Sequence, residues 1–415
     1  MQYGGLAQHD PFQAFLSSLS FLPEWPPRLG PLPWIAVLLL AAVILGEVLQ
    51  RWLSVPRLLG WILAGALLGP AMVGVVDREV LLELRPLLDV SIGLLLFELG
   101  QRVDLSWLQR NPWLLASSVA ESVFSFGAVL AALLAFHVPL VIAAASAGLG
   151  VATSPAVVLT LSKELRAQGQ LNERLLLLTA LDGILAFVAL SAFLGWLHLE
   201  SRSGWMTVIA HPLYVIAGST ALAAVFALIT LDLLGRLGKR PDAQFICTFA
   251  LAVIAVQLTA FAKLSVPLAM LAFGALTRTF DRHRRFLSLE FGRTGQIFLI
   301  ILFAIPAAGL DYSILPLGLG LGLVLAVARY LGKSVGVLLF ARPSGLGLRK
   351  GALLGLALTP MSAFALALMQ DASIDYPLFW YPFHTIVLGA TVALELGGPL
   401  LARFALVKAG ETAES

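Results

Sequence analysis

The chain has 415 residues, of which 59% are hydrophobic and 12% charged, with a formal net charge of +3 and a mean hydropathy of +0.92. Soluble domains carry about 25% charged residues, so this composition excludes a soluble globular enzyme and indicates an all-α, polytopic membrane protein. The positive balance does not require a nucleic-acid partner, because the placement of the basic residues explains it. The lone Cys247 sits in an apolar run and permits no disulfide framework.

Residues 1–33 contain a short apolar stretch around Ala14–Leu22 without a basic leader or a cleavage site, and read as an uncleaved extracytoplasmic segment. Apolar runs of spanning length follow near 34–52, 58–76, 83–100, 112–136, 138–162, 174–197, 208–234, 244–261, 264–277, 293–310, 314–340, 350–370 and 380–406, which makes thirteen candidate helices. With the N-terminus outside, only Arg28, Arg78, Arg85, Arg202 and Lys263 of the 27 lysines and arginines face outward, while Arg329 and Lys333 fall inside a span. The rest collect on the cytoplasmic side, including the cluster Arg282-His283-Arg284-Arg285, as the positive-inside rule requires. The membrane domain is therefore expected over 34–408, with 409–415 as a cytoplasmic tail. No glycine-rich phosphate loop, His/Cys metal cluster or protease motif stands out, so neither an enzyme nor a bound cofactor is expected.

Two spans are interrupted alike. The fifth contains Ala152-Thr153-Ser154-Pro155 and the twelfth Leu358-Thr359-Pro360, each with a hydroxyl residue directly before a proline. Proline removes a backbone donor and disturbs the preceding turn, so both helices should break there. Exposed main-chain groups at that depth are tolerated only against protein or a water-filled cavity. The two breaks lie seven spans apart, so their helices cross the membrane in opposite directions. That is the signature of an inverted repeat with a transport site between its halves. The repeat would pair the helices over 112–197 with those over 314–406.

Charges at bilayer depth are costly and functional by default. Asp182 lies in the sixth span with no basic residue nearby in sequence. Arg329 and Lys333 are four residues apart on the eleventh span and share one face; they are expected to pair with Asp182 and with Glu121 of the fourth span, Lys333 taking Asp182 and Arg329 taking Glu121. Arginine stays charged and suits a fixed strut, whereas lysine suits a switch. Glu98 should satisfy Arg102 at i+4, and Glu47 and Arg51 form a local pair. Glu121 and Glu395 are open between strut and pathway.

The motifs resemble those of bacterial sodium/proton exchangers of the monovalent cation:proton antiporter-2 (Kef-type) family. The resemblance rests on Leu58–Pro70, on Gly93–Gly100, on Ala152-Thr153-Ser154-Pro155 and on Lys408-Ala409-Gly410-Glu411, in that order. It implies a homodimer in the bacterial inner membrane, with a six-helix core moving against a scaffold. It also implies that Asp182 is the carboxylate held in turn by ion and proton. Leu181 stands where the family usually has a first Asp, Asn or Gln, and Lys333 resembles the lysine that faces that position. Met361-Ser362-Ala363 departs from the Gly-Glu of many relatives.

The leading expectation is an antiporter exchanging Na+ or K+ for H+ at Asp182. Hard alkali cations prefer oxygen ligands, and Thr153, Ser154, carbonyls of the unwound helices and water would complete the shell. With Leu181 in place of a second acid, the simplest exchange is electroneutral. Two other readings stand beside it: a sodium-coupled organic-anion carrier using Lys333 and the helix N-termini, and a non-transporting sensor or scaffold.

Overall fold

The computed structural model describes residues 31–103, 108, 111–200, 205–238, 240–281, 292–310, 312–361 and 380–412. The N-terminal stretch around Ala14–Leu22, the Arg282–Arg285 cluster, Ser362-Ala363 and the far half of the twelfth predicted span lie outside these residues. Among the described residues all regular structure is helical. The helices are α1 (Pro31–Leu53), α2 (Arg57–Leu68), α3 (Arg78–Glu83), α4 (Arg85–Gln101), α5 (Pro112–Ala135), α6 (Leu140–Val151), α7 (Pro155–Glu164), α8 (Gln170–Glu200), α9 (Trp205–Leu237), α10 (Pro241–Phe261), α11 (Val266–Phe280), α12 (Gly292–Gly309), α13 (Leu315–Ala341), α14 (Leu348–Ala357) and α15 (Trp380–Lys408). They follow the thirteen predicted spans in order, with α6 and α7 making up the fifth and α14 opening the twelfth.

Most boundaries agree with the sequence expectation within about four residues, and one differs by more. The second span was expected to run to residue 76, but α2 ends at Leu68. Pro70 cannot continue the helix. Gly69 is pressed against α12, where a Cβ would lie 2.3 Å from the Ala308 carbonyl oxygen. The chain then turns, and Asp77 caps α3 by accepting the Val80 N–H at 2.9 Å.

Helix α13 shows how the bilayer sorts side chains. Leu319, Leu323, Val327, Leu331, Val335 and Leu339, spaced four apart, are 37% to 57% exposed and form a lipid-facing stripe. The opposite face carries Gly318, Gly322, Arg329, Gly332, Lys333 and Gly336, all buried. At Gly318 a Cβ would sit 1.8 Å from the Thr385 carbonyl of α15, and at Gly336 it would sit 2.3 Å from Glu121 Cα on α5. Small residues let membrane helices approach backbone to backbone, where lipid supplies no hydrophobic drive. α13 is thereby clamped between α15 and α5, with its two charges turned inward.

Two large apolar clusters surround this face. One joins α1, α2, α4, α7 and α9–α12 to the first half of α8 through Leu171–Ala180, and also takes in α14 and the ends of α13 (Val337, Ala341) and α15 (Ala402, Ala405, Leu406). The other joins α5, α6, α13 and α15 to α8 through Ala186. Asp182 lies on α8 between the two.

Candidate functional site

The first helix break is three residues long. α6 ends at Val151, Ala152 and Ser154 are extended, and Pro155 opens α7. Ser154 Oγ accepts the Val157 N–H at 3.3 Å, which caps α7. The second break begins after Ala357 at the end of α14, where Leu358, Thr359 and Pro360 leave the helix. The two unwound stretches touch: the Ser154 N–H donates to the Pro360 carbonyl at 3.0 Å.

Breaking two helices leaves carbonyls without partners, and Arg329 takes them. Its Nε donates to Gly150 O at 2.8 Å, Nη1 to Thr359 O at 2.6 Å, and Nη2 to Ala152 O at 2.8 Å. Longer contacts reach Thr153 Oγ1 at 3.3 Å and Pro360 O at 3.4 Å. A planar guanidinium with five donors can serve several acceptors at once, and carbonyls at helix C-termini carry the negative end of the dipole. Ser125 of α5 adds a bond to Gly150 O at 3.1 Å. The expected Arg329–Glu121 pair is therefore not formed. The arginine binds main chain from both broken helices because their orphaned acceptors lie closer to it than any carboxylate.

Lys333, one turn further along α13, takes both acids instead. Its Nζ lies 2.6 Å from Glu121 Oε2 on α5 and 2.7 Å from Asp182 Oδ2 on α8. All three side chains are fully buried, as is Arg329. Thr153 Oγ1 donates to the same Asp182 oxygen. The second oxygens, Asp182 Oδ1 and Glu121 Oε1, have no hydrogen-bond partner among the described residues, and neither does the buried hydroxyl of Ser118, Ser122 or Ser146. Buried polar atoms are ordinarily satisfied. The unpartnered oxygens of the two carboxylates are hard donors of the kind an alkali cation or a water takes.

A narrow apolar crevice lies beside the stretch of α8 that carries Asp182. It is lined by Leu96 and Leu99 of α4, Pro155 of α7, Thr179 and Gly183 of α8, and Leu271 of α11. Thr179 and Gly183 neighbour Asp182 on its own helix, although Asp182 itself does not line the crevice.

Other acids have different partners. Glu98 lies 3.7 Å from Arg102, as expected at i+4, but its closer partner is Lys163 of α7 at 2.6 Å. Glu47 pairs with Arg51 at 3.5 Å and also with Arg57 at 3.2 Å. Glu395 is buried in α15. Glu411, in the expected tail, folds back onto the first turn of α8. Its carboxylate accepts the N–H groups of Leu171 at 2.9 Å and Asn172 at 3.0 Å, and Lys350 Nζ at 2.7 Å. Gly169, at φ +145°, leaves room where a Cβ would meet Glu411 Cδ at 2.3 Å. No local sequence spacing announces this seat, since some 240 residues separate its two sides; the only signal was the Lys408–Glu411 motif itself.

In fold the chain is similar to the sodium proton antiporter MjNhaP1 from Methanocaldococcus jannaschii. Its structure at pH 8 gives a TM-score of 0.69 at 14% identity, covering 91% of this chain and 98% of that one. An electron-microscopy structure of the same antiporter gives 0.71 at 15% identity, with 91% and 97% covered. No curated protein matches the chain in sequence. The model of the family described as "Sodium/hydrogen exchanger, transmembrane" matches residues 35–393. The chain belongs to this transmembrane sodium/hydrogen exchanger family, whose members are transporters and not enzymes.

Proposed function

We propose that the protein exchanges a monovalent cation, Na+ or K+, for H+ by alternating access, with cation and proton competing for the Asp182 carboxylate. The observation that carries this reading is the convergence on Asp182 Oδ2. A hydroxyl from a broken helix and an ammonium from α13 meet on one buried carboxylate oxygen. A cation arriving there replaces the ammonium contact, and a proton does the same by neutralising the acid. The remaining shell would come from Asp182 Oδ1, Thr153, Ser154 and main-chain carbonyls of the unwound stretches, with water. The transported ions are substrates.

The arrangement favours a cation over an organic anion as cargo. Lys333 is engaged by two carboxylates and Arg329 by main-chain oxygens, which leaves neither charge turned toward an anionic substrate. For the moving parts, we take the helices over 112–197 and 314–406 as the core and the remainder as scaffold. The crevice between α4, α11 and α8 is then the path along which Asp182 becomes accessible. A homodimer in the bacterial inner membrane, with the N-terminus outside and the C-terminus cytoplasmic, completes the proposal.

The experiment is reconstitution into proteoliposomes with a trapped, pH-sensitive dye. Addition of Na+, K+ or Li+ should drive proton movement for at least one of them. Movement only with an organic anion present would favour the carrier reading, and none under any condition would favour the sensor or scaffold.

A further inference from the structure

We infer that Glu121 is the positioning partner of the Lys333 ammonium, retaining it when a cation takes the Asp182 oxygen on which Lys333 also rests. This deepens the proposed exchange at Asp182 and depends on it.

Three observations converge. Lys333 Nζ is shared almost equally, 2.6 Å from Glu121 Oε2 and 2.7 Å from Asp182 Oδ2, with all three side chains at 0% exposure. Glu121 is held there by main-chain packing. Gly332 and Gly336 flank Lys333 on α13, and a Cβ at either would lie 2.3–2.4 Å from backbone of α5, at Phe124 O and at Glu121 Cα. Lastly, among the described residues Lys333 pairs with these two carboxylates and no third: Leu181 follows the apolar pattern of α8, and the Arg329 guanidinium one turn away is a like charge.

A cation bound to Asp182 faces the ammonium as a like charge in a water-poor interior. If Asp182 were the lysine's sole partner, each binding event would leave a buried charge unpaired, which is strongly unfavourable. Glu121 removes that obstacle. The ammonium shifts its weight onto Oε2, gives up one contact of two, and stays paired on the α5 side while Oδ2 is freed. The fourth-span acid thus does for Lys333 what the absent acid at position 181 cannot.

The test is the apparent KM for whichever cation drives exchange in wild-type proteoliposomes, at one fixed pH, for E121Q, K333Q and the double variant E121Q/K333Q. With Glu121 neutral, the ammonium holds Asp182 alone and must be stranded by the cation, so E121Q should raise the apparent KM by at least about tenfold. Removing the ammonium as well should return the double variant to within a few-fold of wild type. An unchanged KM in E121Q would overturn the inference. So would a double variant as weak as E121Q, since Glu121 would then be a direct cation ligand. If E121Q fails to fold, a folded double variant supports the pairing and an unfolded one contradicts it. Absence of exchange in the wild-type vesicles would count against the antiport reading itself.

Discussion

The Thr153 hydroxyl donates its hydrogen bond to Asp182 Oδ2, the oxygen that Lys333 Nζ contacts at 2.7 Å. A residue of the broken helix therefore reports directly on the state of the carboxylate. Thr153→Val keeps the shape and deletes the donor, and should raise the apparent cation KM about tenfold, the loss of one buried bond to a charged group worth ~1.5 kcal/mol. Thr153→Ser should retain affinity close to wild type. Equal affinity in the valine and serine variants would remove Thr153 from the site.

Arg329 is predicted to be structural and not exchangeable with lysine. Its fork serves Gly150, Ala152 and Thr359 carbonyls together, and an ammonium on a flexible stem cannot span all three. Arg329→Lys should lower stability by about 3 kcal/mol or more, as for other buried charge networks that lose a partner. Thermal unfolding of the detergent-solubilised protein checks this. A melting temperature equal to wild type would mean that the crossing does not depend on the guanidinium.

Gly336→Val should separate α13 from α5. Even a Cβ at this position would lie 2.3 Å from Glu121 Cα, so the helices must move apart and Lys333 must lose Glu121, Asp182 or both. The expected result is a protein that inserts but melts earlier and exchanges poorly. Gly320→Val, where nothing lies within 4 Å of an added Cβ, should behave as wild type in both assays. Similar effects at both positions would show that the close approach is not what matters.

Much of this was legible in the chain because a bilayer imposes few alternatives. Apolar runs had to be helices, prolines 155 and 360 had to interrupt them, and isolated charges such as Asp182 and Lys333 had to face inward. What was hidden is which helices become neighbours. That depends on glycines such as Gly332 and Gly336, whose effect is visible only once two backbones meet. Hence the sequence pairs Lys333 with Asp182, as found, but pairs Glu121 with Arg329, where the structure gives it to Lys333. The arginine's true partners are carbonyls, which every residue possesses and no side-chain pattern reveals. Lys163 on Glu98 is hidden for the same reason: it joins α7 to α4 across 65 positions.

Glu411 should prove part of the fold despite its place near the chain's end. Its carboxylate binds two N–H groups at the start of α8, the helix that bears Asp182, where the helix dipole favours negative charge. Glu411→Gln should destabilise the protein by about 1–2 kcal/mol, seen as a lower melting temperature, with Gly169→Val having a similar effect by filling the seat. A melting temperature unaffected by both changes would show the tail to be dispensable.

The central claim is that one carboxylate serves cation and proton in turn, and proton release on cation binding tests it most directly. Detergent-solubilised protein in weak buffer is titrated with the transported cation while the pH is recorded, for wild type and for Asp182→Asn. At a pH low enough for Asp182 to be protonated, cation binding must expel that proton, so wild type should there release about one proton per cation bound. The release should fade as pH rises and Lys333 alone is displaced, and cation affinity should rise with pH. Asp182→Asn should remain folded, bind no cation and release nothing. Cation binding without proton release at every pH tested, or a release that persists in Asp182→Asn, would contradict the account.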